Sequence, residues 1–456
     1  MASAAEQMAR NINFETFSKA KDLQKRIMFT LGILLVYRLG TFIPVPAIDP
    51  EQFRLLFESQ SGGLLGRFDM FAGGAIERMS IFALNVMPYI TASIIVQMMA
   101  TASPTLAALK KEGEVGRQQI NQYTRYLTVA FAVVQSFGIA VGLRSVALDG
   151  IPGWFFILTA VVTLTGGTIF LMWLGEQVTA RGIGNGISLI IFAGIIAEMP
   201  TAIFNLLSQA QTNSVNVVFI LGLLALVVAL VLFIVFMERS QRRLLIQYPK
   251  RQQGNQIMQG QNSFLPLKIN TSGVIPPIFA SAILLLPTTA IGFTGGNAAA
   301  GATPESTGGF VGDALQWLAI TFGANTWGFM IAYGVMIAFF TFFYTSITFN
   351  PEETADNLRK HGGFIPGIRP GRNTAAYIDY VLTRLTTIGA IYLVFVCVMP
   401  DILRMNYPTI PTVFNGMSLL IVVSVTMDTV AQIQSHLIAH QYEGMIKKSR
   451  LGGRKR

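Results

Sequence analysis

Cysteine and histidine are scarce in this chain, and their scarcity excludes several kinds of site. The only cysteine, Cys397, lies within an apolar stretch, which excludes a disulfide framework and a metal site built from cysteines. Two of the three histidines, His436 and His440, have the i,i+4 spacing of paired metal ligands on a helix. The H-E-x-x-H pattern is absent around them, so the pair does not indicate a metal site.

Charged residues are also few. They make up 12% of the 456 residues, against 52% for apolar residues, whereas soluble domains carry roughly twice that charge. The apolar residues fall in blocks of about 20, the length at which a helix crosses the hydrocarbon layer. An unpaired backbone N–H or C=O group is costly in lipid, so the blocks must be helices or the strands of a closed barrel. They lack the alternation of apolar and polar residues that barrel strands show. The composition predicts an all-α polytopic membrane protein.

Ten such blocks can be placed along the chain. They lie at about residues 27–43, 79–99, 121–143, 154–175, 184–204, 215–237, 273–293, 325–349, 380–400 and 413–437. Counted over alternate loops, 26 Lys and Arg lie on one side and 5 on the other, with Arg38 and Arg384 inside spans. The positive-inside rule then predicts that both termini are cytoplasmic. With five spans in each half, two halves of similar fold would be inverted relative to each other.

These spans divide the chain into predicted parts. They are a cytoplasmic amphipathic segment (1–26), an N-terminal half (27–204), a linker (205–214), a C-terminal half (215–437) with cytoplasmic loops at about 238–272 and 350–379, and a basic tail (438–456). A signal peptide is the competing interpretation of the first segment. Arg38 interrupts its apolar run and no small-residue cleavage site follows, which argues against it.

Residues 62–74 are apolar in part but too short to span, so they re-enter the membrane or lie at its interface. Glycine pairs bound them and give both ends conformational freedom. A mobile short helix and a structured outer loop both fit this pattern. Among the spans, Asp428 is the clearest carboxylate and a candidate functional group, although a structural partner would explain it equally well.

The cytoplasmic loop after span 8 has a well-defined local pattern. Asn350 is placed to cap a helix that begins with Pro351. The prolines and glycines of residues 366–371 predict a stiff turn that presents Arg369, and Asn373 is placed to cap the next helix. Together with the loop at 238–272, this basic segment fits a docking surface for a large acidic or ribosomal partner, or a solvated connector.

Several stretches match one known family in order along the chain. They are residues 40–46 (GTFIPVP), 81–97 (IFALNVMPYITASIIVQ), 104–113 (PTLAALKKEG), 122–126 (QYTRY), 170–188 (FLMWLGEQVTARGIGNGIS), 250–254 (KRQQG), 274–280 (VIPPIFA), 349–358 (FNPEETADNL) and 364–371 (FIPGIRPG). On these stretches the chain resembles the SecY family, the channel-forming subunits of the bacterial protein translocase, over nearly its whole length.

The resemblance implies a fold of ten transmembrane helices in two inverted five-helix halves around a central pore, closed by a short re-entrant plug helix. The implied plug residues are Leu64, Leu65, Gly66, Arg67, Phe68, Asp69, Met70 and Phe71. The implied pore ring is Val86, Ile90, Ile191, Ile278 and Ile421. The resemblance implies a lateral gate between spans 2 and 7, and we assign Thr91, Ser93, Gln97 and Leu286 to it from their depth and the partly polar surface of span 2. The implied partner-binding residues are Lys250, Arg251, Arg369 and Arg372.

The resemblance also implies the function. A SecY-like channel moves unfolded secretory polypeptides across the bacterial inner membrane and releases signal and membrane helices laterally into it. Its implied partners are SecE, SecG, the SecA ATPase, a translating ribosome, signal peptides, nascent polypeptides and membrane lipids. We expect no cofactor, no metal and no catalytic residue. The alternative is a secondary transporter with inverted repeats, which would place ionisable groups at a midplane coupling site, a position that only Asp428 approaches.

Overall fold

The computed structural model describes residues 20–60, 69, 72–148, 150–211, 217–248, 251–253, 256–258, 262–293, 326–407 and 410–452. Its helices are α1 (Lys21–Gly40), α2 (Pro50–Gln60), α3 (Met87–Ala102), α4 (Pro104–Lys111), α5 (Glu114–Gly142), α6 (Gly153–Arg181), α7 (Gly186–Gln211), α8 (Val217–Arg239), α9 (Ile275–Phe293), α10 (Trp327–Thr348), α11 (Pro351–Lys360), α12 (Arg372–Asn406) and α13 (Gly416–Gly452). The strands are β1 (Gln241–Gln247), β2 (Arg251–Gln253), β3 (Gln256–Met258) and β4 (Asn262–Lys268).

Helices occupy the positions of all ten predicted spans, namely α1, α3, α5 to α10, α12 and α13. Within the described residues, seven helices are long and apolar enough to cross a membrane, and an eighth crossing results if α3 and α4, bent by 101° at their junction, count as one. The chain is therefore a multi-pass membrane protein. Helices α1 and α9 stand at the other two predicted spans, and the exact number of ten crossings remains a prediction.

One predicted span boundary is wrong, and two helices extend across predicted domain limits. The helix of span 2 begins at Met87 and not near residue 79, because residues 75–86 form turns in which Met79 and Asn85 adopt positive φ, a conformation that a helix excludes. Helix α7 continues to Gln211, so the linker predicted at 205–214 begins inside a helix. Helix α1 begins at Lys21, so the predicted amphipathic segment runs directly into it; residues 1–19 lie outside the described part.

The loop after α8 departs from the predicted all-helical fold. Strands β1 and β4 pair antiparallel, with Gln241 opposite Lys268, and β2 pairs with β3 farther out. Leu244 and Leu267 of this ribbon pack against Ile365 and the first turns of α12. Because one face of the ribbon is buried there, the hydrophobic contacts and the backbone ladder fix its position on the C-terminal half.

The two halves meet along two lines of contact. At the first, which we name the front seam, α3 and α5 pack against α9. At the second, the back seam, α1 and α7 pack against α13, and α7 also meets α8. The main hydrophobic core extends through both halves between these seams. Residues that point to the centre from α3, α7, α9 and α13 can therefore meet.

Candidate functional site

The five residues of the predicted ring surround one small cavity between the halves. Ile90 lies on α3, Ile191 on α7, Ile278 on α9 and Ile421 on α13, and Val86 immediately precedes α3. Among the described residues, those that line it are Asn85, Val86, Met87, Ile90, Ile191, Ile278, Met417 and Ile421. The volume open to the centre of a water molecule is about 10 Å³, roughly the minimum that holds one water.

Three of the lining residues were not singled out from the sequence. Met417 lies one helical turn before Ile421 on α13, so i,i+4 spacing was a signal that could have identified it. Asn85 and Met87 flank Val86 and face the cavity because of the turn that precedes α3. Seven of these eight side chains, all but that of Asn85, are branched aliphatic or thioether groups without a strong hydrogen-bonding atom. Such a surface holds water poorly.

Of the predicted plug residues, the structure describes only Asp69; Leu64, Leu65, Gly66, Arg67, Phe68, Met70 and Phe71 lie outside the described residues. The Asp69 side chain is buried, and its Oδ1 accepts hydrogen bonds from the backbone N–H groups of Ile76 (2.8 Å) and Glu77 (3.0 Å). Burial raises the pKa of Asp69 to about 6, and these hydrogen bonds oppose the shift. This carboxyl group therefore organises the turn that follows the plug.

That turn lies against two spans. Tyr37 and Arg38 of α1 donate hydrogen bonds to the carbonyl oxygens of Ala72 and Gly73. The other side of the turn approaches α7 at Gly194 and Glu198. From the sequence, Arg38 is recognisable only as a charge within a span, and nothing in the local pattern relates Tyr37 or Glu198 to residues 72–74.

The predicted lateral-gate residues lie at the front seam, where α3 and α9 pack together. Thr91 is buried and donates to the Met87 carbonyl oxygen one turn earlier, while Gln97 Nε2 donates to Ser93 Oγ at 3.1 Å. Leu286 belongs to α9, but its side chain is not among those described. In the part of the α3–α9 contact whose side chains are described, these polar groups are thus satisfied along α3 itself and the two helices meet by packing.

The predicted docking loops are joined to each other. Gln247 of β1 and Phe364 exchange backbone hydrogen bonds of 2.9 and 3.0 Å, which links the ribbon to the loop before α12. Arg369 and Arg372 on that loop are exposed. Lys250 lies outside the described residues, as does the side chain of Arg251.

The predicted caps of this loop have different outcomes. Asn350 caps α11 as predicted, because its Oδ1 accepts from the N–H groups of Glu352 and Glu353. The predicted cap by Asn373 is wrong. Helix α12 already begins at Arg372, after Gly371 with φ of 109°, so Asn373 lies inside the first turn.

Comparisons with known proteins agree on one family. The SecY family model matches residues 80–430. The protein translocase subunit SecY of Escherichia coli K12 is 48% identical over 439 residues, covering 95% of this chain and 96% of that protein. A SecY structure described by the role of its plug domain in stabilising the closed channel superposes with a TM-score of 0.61 at 18% identity, covering 91% of this chain and 92% of the other. Sec61 in a canine ribosome–channel complex gives a TM-score of 0.58 at 17% identity, with the same coverage. At these identities the structural likenesses show a shared fold.

Proposed function

This chain belongs to the SecY family, and we propose that it is the protein-conducting channel of a bacterial translocase. In this proposal unfolded secretory polypeptides pass through the centre of the molecule, and signal and membrane helices leave laterally through the front seam. The proposed location is the bacterial inner membrane with both termini in the cytoplasm, which the distribution of Lys and Arg supports.

The observation that carries the proposal is the apolar ring between the halves. Val86, Ile90, Ile191, Ile278 and Ile421 come from both halves and leave room for about one water between them. Aliphatic side chains offer an ion no replacement for its hydration shell, so the closed ring opposes ion flow by dewetting. They also make no directional bonds to a passing polypeptide, which suits a channel that must accept many sequences.

The linked docking loops support a partner on the cytoplasmic side. The ribbon and the loop with Arg369 and Arg372 present basic residues on one supported surface, and such a surface attracts an acidic or ribosomal partner. We propose SecA and the translating ribosome for this surface; the likeness to a channel solved with a ribosome supports the second. SecE and SecG are the proposed small membrane partners.

A secondary transporter is less well supported by the structure. Asp428, the span carboxylate singled out as a candidate coupling group, is exposed on α13. A coupling carboxylate would face the bundle interior or a water-filled cavity near the midplane, whereas no carboxylate is among the described residues that line the central cavity.

The test of the proposal is the ion conductance of the resting channel. Replacing Ile191 and Ile421 together by Asn places two amides in the ring, where they hold water, so single-channel recordings of the reconstituted complex should show a resting conductance that the unchanged protein lacks. Ile196→Asn is the matched control, since Ile196 lies on the same helix but is 39% exposed on its outer surface. A ring variant that conducts no more than this control would contradict the assignment.

A further inference from the structure

One residue in the wall of the central cavity is held in place by contacts from two neighbouring helices. We propose that Met417 is a sealing residue of the closed pore and that the hydroxyl group of Tyr333 positions its side chain. The inference rests on the proposed function, because a seal matters only if ions and polypeptides can pass through the centre of the molecule.

Met417 lines the central cavity one helical turn before Ile421 on α13. Its side chain is buried, with 2% of its surface exposed. Because residues four positions apart share one face of a helix, Met417 and Ile421 form successive levels of the wall that α13 contributes. A thioether side chain is unbranched and flexible, so it can fill an irregular gap that the stiffer isoleucines of the wall leave.

The Met417 side chain is held by α10, from outside the cavity. Tyr333 Oη donates a hydrogen bond to Met417 Sδ at 3.1 Å. The Tyr333 ring is buried and stacks on Phe329, one turn earlier, with centroids 5.9 Å apart, so the hydroxyl group has a fixed position. The fully buried thiol of Cys397 on α12 is a further hydrogen-bonding neighbour of this hydroxyl group. Although sulfur is a weak acceptor, the bond selects one arrangement of an otherwise flexible side chain.

The backbone of Met417 is also fixed. Gly416 packs so closely against α12 that a Cβ there would overlap the carbonyl oxygen of Val396 and would lie 2.9 Å from Cys397 Cα. Asn415 Oδ1 accepts a long hydrogen bond of 3.4 Å from the N–H of Met417 and so caps the first turn of α13. Because the backbone and the sulfur are both held, this flexible side chain has a defined place in the wall.

The size of the cavity makes that place important. The volume open to the centre of a water molecule is about 10 Å³, which is roughly one water. If the end of the Met417 side chain moved away, it would free space on the order of one further water, whose share of liquid volume is about 30 Å³. A wetted constriction conducts ions, whereas a dry one does not. We therefore expect the closed state to depend on the position of this thioether.

Met417→Gln tests the sealing role. It places an amide of similar length in the wall, where it should hold water, so single-channel recordings of the reconstituted full-length complex should show a resting conductance. Met417→Leu keeps the wall apolar at similar volume and should conduct like the unchanged protein. The matched control is Met427→Gln, farther along the same helix, where the side chain is half-buried and is not among the described residues that line the cavity.

A Met417→Gln channel that conducts no more than the Met427→Gln control would overturn the sealing role. If Met417→Gln does not assemble, Met417→Ala decides in its place, because it opens the wall without burying an amide. The Ile191→Asn, Ile421→Asn double variant is recorded beside them. If that variant is silent, the proposed function fails and the sealing role fails with it. If it conducts while the Met417 variants behave like the control, the sealing role alone is wrong.

Tyr333→Phe tests the positioning role, because it removes the hydroxyl group and keeps the ring stacked on Phe329. Loss of a neutral hydrogen bond shifts an equilibrium roughly 2- to 5-fold, so the frequency of resting openings should rise by about that factor. Tyr344→Phe is the control, since Tyr344 is a partly buried tyrosine on the same helix that is not among the described lining residues.

The Met417→Leu background separates positioning from a general structural role of Tyr333. Leucine has no acceptor for the hydroxyl group, so Tyr333→Phe should add no openings in that background, and the two changes should be non-additive. An equal increase in both backgrounds would mean that the hydroxyl group acts through another neighbour, such as Cys397, and would overturn the positioning role.

Discussion

The front and back seams join the same two halves by different means. At the front seam, within the described residues, the side-chain hydrogen bonds of α3 and α9 each stay inside their own helix. At the back seam the N–H of Gly184, in the turn before α7, donates to Gln432 Oε1 of α13 at 2.8 Å. On the neighbouring α1, Thr30 Oγ1 accepts from the N–H of Ile183 in the same turn.

This difference indicates which seam can part. Separating the front seam replaces packing contacts with contacts to lipid tails or to an entering apolar helix, and it breaks no described hydrogen bond. Within a membrane such an exchange has little net driving force in either direction. Opening the back seam would break a directional bond between the halves.

The largest expected effect comes from covalently closing the front seam. Thr91→Cys with Leu286→Cys, in a Cys397→Ala background, places one thiol on each side of the α3–α9 contact, and a disulfide forms only if the Cα atoms lie within about 7 Å. Oxidation should block insertion of substrates with signal peptides completely, and reduction should restore it. A cross-linked channel that still inserts such substrates at full rate would remove the front seam as the lateral gate.

The matched control closes the back seam. A Cβ on Gly184 would lie 3.5 Å from Thr429 Oγ1, so Gly184→Cys with Thr429→Cys brings two thiols together across that seam. The positive φ of 89° at Gly184 adds some strain. We expect this cross-link to leave transport largely intact, because the back seam does not need to part. Equal inhibition by both cross-links would abolish the distinction between the seams.

A smaller effect on the resting ion leak is expected when the outer pH changes the protonation of Asp69. Asp69 has a pKa of about 6 when buried, against an ordinary value of 3.8, with Glu77 raising it and Arg78 lowering it. An acid with a raised pKa binds its proton more tightly in the closed state, so closure is strongest below about pH 4 and weakens as the pH rises through 6. Lowering the outer pH from about 7.5 to 5 should reduce the resting leak by about 10-fold.

Asp69→Asn tests the cause of that pH dependence. The amide keeps an oxygen that can accept from Ile76 and Glu77 but carries no charge at any pH. Its leak should be low and independent of pH over the same range, as recorded on reconstituted complex with the outer solution exchanged. If the leak of the unchanged channel rises on acidification, or if Asp69→Asn keeps the full pH response, another group is responsible.

The sequence predicted the positions of the helices better than the contacts between residues that are distant in sequence. The helices could be located from apolar blocks of membrane-spanning length and from the distribution of Lys and Arg over alternate loops, because each signal is the sum of many residues. The family resemblance named five ring residues that the structure places around one cavity. The hydrogen bonds of Tyr37 and Arg38 to residues 72 and 73 could not be predicted, since they join residues 35 positions apart whose proximity depends on packing. The β1–β4 ribbon was missed because its buried face, with Leu244 and Leu267, is short and pairs residues across a long loop.

The smallest expected effect compares one glutamine at each seam. Gln432→Ala removes the acceptor of the Gly184 N–H across the back seam, whereas Gln97→Ala removes a hydrogen bond that lies within α3. The side chain of Gln432 is exposed, so water replaces part of the lost bond and the cost should be about 1 kcal/mol or less. That cost corresponds to roughly a 5-fold increase in local opening, which hydrogen–deuterium exchange can measure on the peptide around Gly184. Gln97→Ala should leave exchange at Gly184 unchanged, because its hydrogen bond does not contribute to either seam. Faster exchange at Gly184 in both variants would mean that the halves respond as one body, and the front seam would then be no easier to part than the back.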